Sequence, residues 1–254
     1  MLKIKSIPVK NYIKSSLRRF GYELHHTESE TDPFYVQQAL IKGSKPVIFD
    51  IGAHVGAVTG IYRKMFPDST IHCFEPFPES FAKLKKNTEK DPLTFCHNFA
   101  VSDKNGTAIF HSNSESTANS LLASDKMGGA FWGDNVVDAK EQIEVKTISL
   151  DDFCQEQKIK EIDILKIDIQ GSEYEVLQGA KDLLSVKRIK LIYTELIFCP
   201  TYEGQHALHE YLSLLAGFGY DFLDIYNQTR RHSQLIQADV VFVPAELKSS
   251  LIPQ

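Results

Sequence analysis

Cysteine is scarce in this 254-residue chain. Cys73, Cys96, Cys154 and Cys199 are widely spaced and form no CxxC pair. Neither a disulfide framework nor a structural zinc site is expected, and Cys73 and Cys96 fall in predicted strands, where a free thiol is a small apolar group. The expected compartment is the reducing cytoplasm. Long apolar runs are missing as well. Ile189 to Cys199 is interrupted by Lys190 and Glu195, whereas a membrane-crossing helix needs roughly 20 apolar residues. The N-terminus has no signal-peptide apolar region. An excess of positive charge is also lacking: the net charge of −5 argues against nucleic acid as a partner. No internal repeat is found.

What remains is an apolar fraction of 43%, ordinary for a chain that buries a full core. From Lys45 onward strand and helix signals alternate, which predicts a parallel sheet covered on both faces. Strands are expected over Pro46 to Ile51, Thr70 to Phe74, Leu93 to Phe99, Glu141 to Ile148, Ile162 to Ile167 and Ile189 to Thr194. Helices are expected over Ala57 to Phe66, Glu79 to Thr88, Leu150 to Gln157, Tyr174 to Leu184 and His206 to Leu215. Val101 to Ser112 reads as a hairpin turning at Asn105-Gly106, and Tyr220 to Tyr226 with Asp239 to Val243 as a closing pair of strands. One domain, 45–247, is the simplest account, preceded by an accessory helical segment, 1–44. Six basic side chains and no acid occur in residues 1–20, with a partial apolar stripe. That segment reads either as a helix docked with its basic face in water or as a weak membrane-surface contact. Residues 112–140 form a polar insertion with the sole tryptophan, Trp132. It reads as a lid over a ligand or as a satellite cluster.

Chemistry concentrates at Asp50-Ile51-Gly52-Ala53-His54-Val55-Gly56. A strand, a glycine turn and a helix are followed by a second strand ending in Glu75, 25 positions after Asp50. This is the sequence form of a nucleotide-type cofactor site, in which the second-strand acid accepts from ribose hydroxyls. The G-x-G-x-x-G of dinucleotide sites is not present, and Asp50 would repel a pyrophosphate. A ligand with an ammonium, a ribose and no phosphate fits better, and S-adenosylmethionine has all three properties. Asp50, Gly52, Ala53, His54, Gly56, Thr59, Glu75, Pro76, Asn98, Ala100 and Asp168 are the candidate cofactor contacts. Asp50 could also cap the turn, Thr59 could be structural, and Asn98 could satisfy backbone.

Acids end four predicted strands: Asp50, Glu75, Asp168 and Glu195. The carboxyl edge of an open α/β sheet is where ligands bind. Asp168 could hold a substrate hydroxyl, act as base or bind a divalent cation shared with Glu195, for which Mg²⁺ would be the natural ion. His206 is a further base candidate. Glu173 reads as a first-turn acid complementing the helix dipole.

The ordered series resembles the FkbM-type methyltransferases. It comprises Phe49 to Gly56 with Thr59, Phe74 to Phe81 with Leu84 and Asn87, and Asn98 to Asp103 with Gly106. It continues through Thr147 to Asp152 and Leu165 to Gly171 with Glu173, Val176, Leu177, Gly179 and Ala180. The resemblance implies a Rossmann-like class I methyltransferase sandwich, a mostly parallel seven-stranded sheet with an antiparallel last strand. It implies methyl transfer from S-adenosylmethionine to a hydroxyl of a sugar, glycan or natural product. It also places the Ser-rich segment Ser116 to Leu122 toward the active site. His54 stands where Asn is common and Gln170 where Glu is common. N-methylation, a dehydrogenase and a non-catalytic cofactor-binding protein are the competing readings.

Overall fold

The computed structural model describes residues 32–133, 139–231 and 233–251. The basic stretch of residues 1–20 lies outside the described residues, and of the expected 1–44 helical segment only α1 (Pro33–Leu40) is described. Asp32 caps α1, its carboxylate accepting from the Phe34 amide at 2.9 Å.

Seven strands make the main sheet: β1 (Val47–Ile51), β2 (Thr70–Phe74), β3 (Thr94–His97), β7 (Ile164–Ile167), β8 (Ile192–Ile197), β9 (Tyr220–Arg231) and β10 (Gln234–Pro244). Their spatial order is β3-β2-β1-β7-β8-β10-β9. The pairs β1/β2, β2/β3, β1/β7 and β7/β8 are parallel, whereas β10 runs antiparallel to β8 and β9. The chain winds outward from β1 to β3, then returns to β1's other side with β7. That reversal opens a crevice at the carboxyl ends of β1 and β7.

Both faces of the sheet are covered, so the strands read as apolar runs and alternate between two cores. Phe49, Ile51, Leu165 and Ile167 pack under α5 (Leu150–Gln157), α6 (Glu173–Gln178), α7 (Lys181–Ser185) and α8 (Leu208–Gly217). Ile48, Ile71 and Ile164 pack under α1, α2 (Ala57–Met65) and α3 (Pro78–Thr88). Asp50 and Lys166 share the second face by the same alternation, and they are register partners across β1 and β7.

Three expectations are corrected. The hairpin over 101–112 does not form. β4 (Ala100–Val101) pairs parallel with β6 (Ala139–Ile148), which also pairs antiparallel with β5 (Gly106–Asn113), so β6 lies between the two. A local turn signal lost to a partner 40 residues away. The single helix over 174–184 is two, α6 and α7, broken at Gly179. A Cβ there would fall 2.1 Å from the Ser102 carbonyl oxygen, so the chain crosses Ser102 where only glycine fits. The closing strands β9 and β10 also run longer than expected, and a short helix, α9 (Ala245–Ser249), follows them.

The insertion 112–140 is folded down over its described length. Ser120 bridges to His111 and Ser124 to Tyr202. A 3-10 turn spans Ser116–Ala118, and α4 spans Gly128–Trp132. Leu122, Phe131 and Trp132 pack against Ile197, Cys199, Tyr202 and Ile236.

Candidate active site

A cavity of about 350 Å³ sits in the crevice, bounded by Gly52, His54, Glu75, Pro76, Ala100, Asp168 and Glu195. The β1–α2 turn forms its floor. Gly52 and Ala53 both donate their amides to the Phe74 carbonyl at 3.0 Å, and Gly56 donates to Ala53 at 2.8 Å. Those N–H groups are engaged internally, so the turn offers them to no phosphate. Gly52 has φ +76°, and a Cβ there would fall 1.8 Å from the Asp168 carbonyl oxygen. Its first role is to let β1 and β7 close on each other. Gly56 caps α2 at φ +89° and leaves no room beside Leu84.

Glu75 follows β2 directly and is only 6% exposed. One carboxylate oxygen accepts from the His54 amide at 2.9 Å and the other from the Phe77 amide at 2.9 Å. These bonds fix the carboxylate plane, and each oxygen keeps a further lone pair. Burial pushes Glu75 up to about 7, against the pull of those two amides and of Lys166. His54, in the left-handed region at φ 49°, turns its ring toward the insertion, its Nε2 3.0 Å from Ser116 Oγ. Burial, then Lys83, lowers its pKa.

Asp50 and Lys166 are a buried pair beneath this floor. Asp50 is fully buried; Thr59 Oγ1 donates to its Oδ2 at 2.7 Å and Lys166 Nζ lies 2.9 Å from its Oδ1. The same ammonium donates to the Ile51 and Gly52 carbonyls at 3.2 and 2.9 Å. Burial opposes the charge of Lys166, but Asp50, Asp168 and Glu195 outweigh it and hold its pKa above the ordinary lysine value. Removing one partner of such a pair costs about 3–5 kcal/mol, because the other charge stays buried. Asp50 and Thr59 thus stand under the site and off its wall, as do Ala53 and Gly56. Asn98 is also outside; its Nδ2 donates to the Glu75 and Pro76 carbonyls at 2.9 and 3.1 Å.

Another part of the cavity wall gathers Asp168, Gln170 and Glu195. Gln170 Nε2 donates to Asp168 Oδ1 at 3.2 Å and to Glu195 Oε2 at 2.6 Å. Gln170 itself sits at φ 62°. Ser120 Oγ donates to its carbonyl at 2.6 Å, and the Tyr202 hydroxyl to its Oε1 at 3.1 Å. The other oxygen of Glu195 accepts from Gln237 Nε2. Burial, then Asp168, Glu173 and Asp239, drives Glu195 well above the ordinary carboxylate range. Glu173 differs from its expected part as a first-turn acid. Its buried carboxylate reaches back to the amides of Ile169 at 3.0 Å and Gly171 at 2.9 Å, closing the 168–173 turn.

His206 does not reach the cavity. It stacks on Tyr174 with ring centroids 3.8 Å apart and lies 3.3 Å from Glu175 and 2.9 Å from Glu210. It is thereby set aside as a base. Among the described residues no group of three His, Cys, Asp or Glu side chains converges on a metal position, and the Gln170 amide bridges Asp168 and Glu195. Ser116, Ala118 and Leu121 do line the cavity, as the Ser-rich resemblance implied. Sequence reasoning missed Lys166, Tyr202 and Gln237. A lysine inside the apolar run Ile162 to Ile167 was a visible signal. Nothing in the sequence marks Gln237, which reaches Glu195 only because β10 inserts beside β8.

Seven strands with one reversed, opening at the β1/β7 switch onto an acid that can take hydroxyls, are the layout of a Rossmann-like methyltransferase. The family model of the methyltransferase FkbM domain matches residues 50–222, and this chain belongs to that family. It is 30% identical to the 2-O-methyltransferase NoeI of Sinorhizobium fredii, over 81% of this chain and 86% of that one. It is 28% identical to the 31-O-demethyl-FK506 methyltransferase FkbM of Streptomyces tacrolimicus, over 77% and 80%. The hexuronic acid methyltransferase AglP of Haloferax volcanii is 26% identical, over 54% of this chain and 51% of its own length.

Proposed function

We propose that this protein is an S-adenosylmethionine-dependent O-methyltransferase acting on a hydroxyl of a sugar or natural product. The observation that carries the reading is Glu75. It is a buried carboxyl with both oxygens pre-oriented by backbone amides, on the wall of a cavity whose turn presents no phosphate cradle. Those properties suit a ribose without a pyrophosphate. Pro76 and Ala100 continue that wall, and His54, whose amide bonds Glu75, and Asp168 also border the cavity.

Bound S-adenosylmethionine supplies an electrophilic methyl group. The protein's own task is to align an acceptor oxygen and take its proton, and alignment supplies much of the rate. Glu195 is the proton acceptor. Gln170 and Gln237 fix its carboxylate from two sides, and burial makes the ionised group a stronger base than an exposed carboxylate. Asp168, more open at 39% side-chain exposure, orients the hydroxyl. No step of this reading needs Mg²⁺. The names of NoeI and FkbM support oxygen as the acceptor, and those of FkbM and AglP support a natural product or a sugar acid as its carrier.

Calorimetric titration with S-adenosylmethionine, and with NAD as control, tests the reading. Micromolar affinity for the former only, lost in Glu75→Ala, is expected. The ionised carboxylate is the better hydroxyl acceptor, and burial pushes Glu75 up to about 7. Affinity should therefore weaken as pH falls below about 7, and Glu75→Gln should remove that dependence. A well-folded protein that does not bind S-adenosylmethionine would end the proposal.

A further inference from the structure

A second cavity, of about 170 Å³, opens on the α1/α2 side of the sheet, and Asp168 and Glu195 border it as they border the first. We propose that this second cavity is the acceptor subsite, and that it takes an uncharged saccharide ring. The proposal rests on the methyltransferase reading above. If the cofactor lies between Glu75 and Asp168 in the first cavity, the second offers an acceptor hydroxyl its own approach to Asp168 and Glu195 from the α1/α2 side.

Its lining is two-sided. Phe34 from α1 and Val58 and Ile61 from α2 make one apolar wall. Tyr193, Asn227 and Asp239 make the other. The Tyr193 hydroxyl donates to Asp239 Oδ2 at 2.5 Å, and Asn227 Nδ2 donates to the same oxygen at 2.6 Å. Two donors on one oxygen hold the carboxylate in a fixed plane. Phe34 is itself held edge-on to Tyr62 and Tyr193, at 5.4 and 5.9 Å between centroids. A pyranose matches such walls, since one face presents C–H groups and the rim presents hydroxyls that donate to carboxylates. The space, about 170 Å³, suits one small ring.

Charge narrows the class further. Asp168, Glu195 and Asp239 are three acids on this cavity, and Lys166 is the one cation among the described residues that line it. Lys166 is already bound to Asp50, Ile51 and Gly52. A uronate or phosphate beside the reacting hydroxyl would face those acids with no unengaged cation among the described residues to pair it. The ring is therefore an uncharged one.

The test uses the whole chain, first shown by calorimetry to bind S-adenosylmethionine, and then saturated with S-adenosylhomocysteine. Saturation-transfer NMR titrations with p-nitrophenyl glucopyranoside, rhamnopyranoside and glucuronide report saccharide binding. The neutral rings should bind and the glucuronide should bind at least tenfold more weakly. Asp239→Asn and Asn227→Ala should each weaken the neutral rings about tenfold, with cofactor affinity unchanged. Equal or tighter glucuronide binding, unaltered saccharide binding in both variants, or no saccharide binding by cofactor-competent protein would overturn the subsite. Failure to bind S-adenosylmethionine would instead remove the parent reading.

Discussion

Glu75 and Gln170 show how much one side chain can decide. Under the proposed function, position 75 carries an acid because ribose hydroxyls need acceptors, and its neighbours in sequence pointed to it. Position 170 is different. Its amide joins two carboxylates that would otherwise repel each other, and a carboxylate there would be a third acid in one place. Gln170→Glu should raise the proton affinity of Glu195 further, lower turnover by on the order of 10²-fold and move the pH–rate profile to more alkaline pH. Cofactor affinity should change little, because Gln170 bonds Asp168, Glu195, Ser120 and Tyr202 and not Glu75. An unshifted pH–rate profile would refute this part for Gln170.

At the scale of elements, the insertion 112–140 is the piece that sequence left with two readings. Trp132 joins the satellite cluster over Tyr202 and also borders the main cavity. Its indole N–H donates to Thr201 Oγ1 at 2.7 Å. The two readings are therefore one element: the cluster anchors a cover on the site. As the only tryptophan in the chain, it reports on that cover. Saturating S-adenosylhomocysteine should shift its emission, and Trp132→Phe should abolish the signal while leaving binding measurable by calorimetry. Binding with no spectral change would mean that α4 does not respond to the cavity's contents. Thr201→Val should loosen the cover by about 1 kcal/mol, the net worth of an ordinary hydrogen bond, seen as faster release of S-adenosylhomocysteine.

For the whole molecule, buried titratable groups set how stability varies with pH. Burial raises Glu75 and Glu173 to about 7 and drives Glu195 well above the ordinary carboxylate range. Burial lowers His72 and His97, stacked side by side across β2 and β3, to about 4. Raised acids keep protons in the folded state that the unfolded chain loses above about 4.5, so their effect is a loss of stability as pH rises from there to about 7. The imidazoles act the other way between 4 and 6.5, where the unfolded chain binds their protons. His54, also lowered by burial, adds to the imidazoles, so they largely offset the acids up to about 6.5, and the decline is expected above it, once that compensation ends. Each uncompensated proton contributes about 1.4 kcal/mol per pH unit. Urea midpoints of the ligand-free protein between pH 5 and 8 should trace that curve. A midpoint that rises with pH would contradict it, and Glu173→Gln should flatten the step near 7 if the variant folds.

The order of strands and helices was legible because apolar runs, glycine turns and caps are local. The Glu75 position followed from spacing, and the helix over Leu150 to Gln157 forms with the expected bounds, capped by Ser149, whose hydroxyl accepts from the Asp152 amide. Local chemistry also placed Asp168 and Glu195 at one edge. It could not show that Asp50 is turned under the floor by strand alternation, or that His206 ends on Tyr174. Nor could it show that β6 parts the expected hairpin, or that Gly179 breaks a helix to pass Ser102. Those depend on which surfaces meet across tens or hundreds of residues. The contacts that set Glu195, from Gln170 on one side and Gln237 on the other, exist only once β7, β8 and β10 lie side by side. Sequence determined the kind of site, and the packing of distant strands decided which of its charges face the cavity.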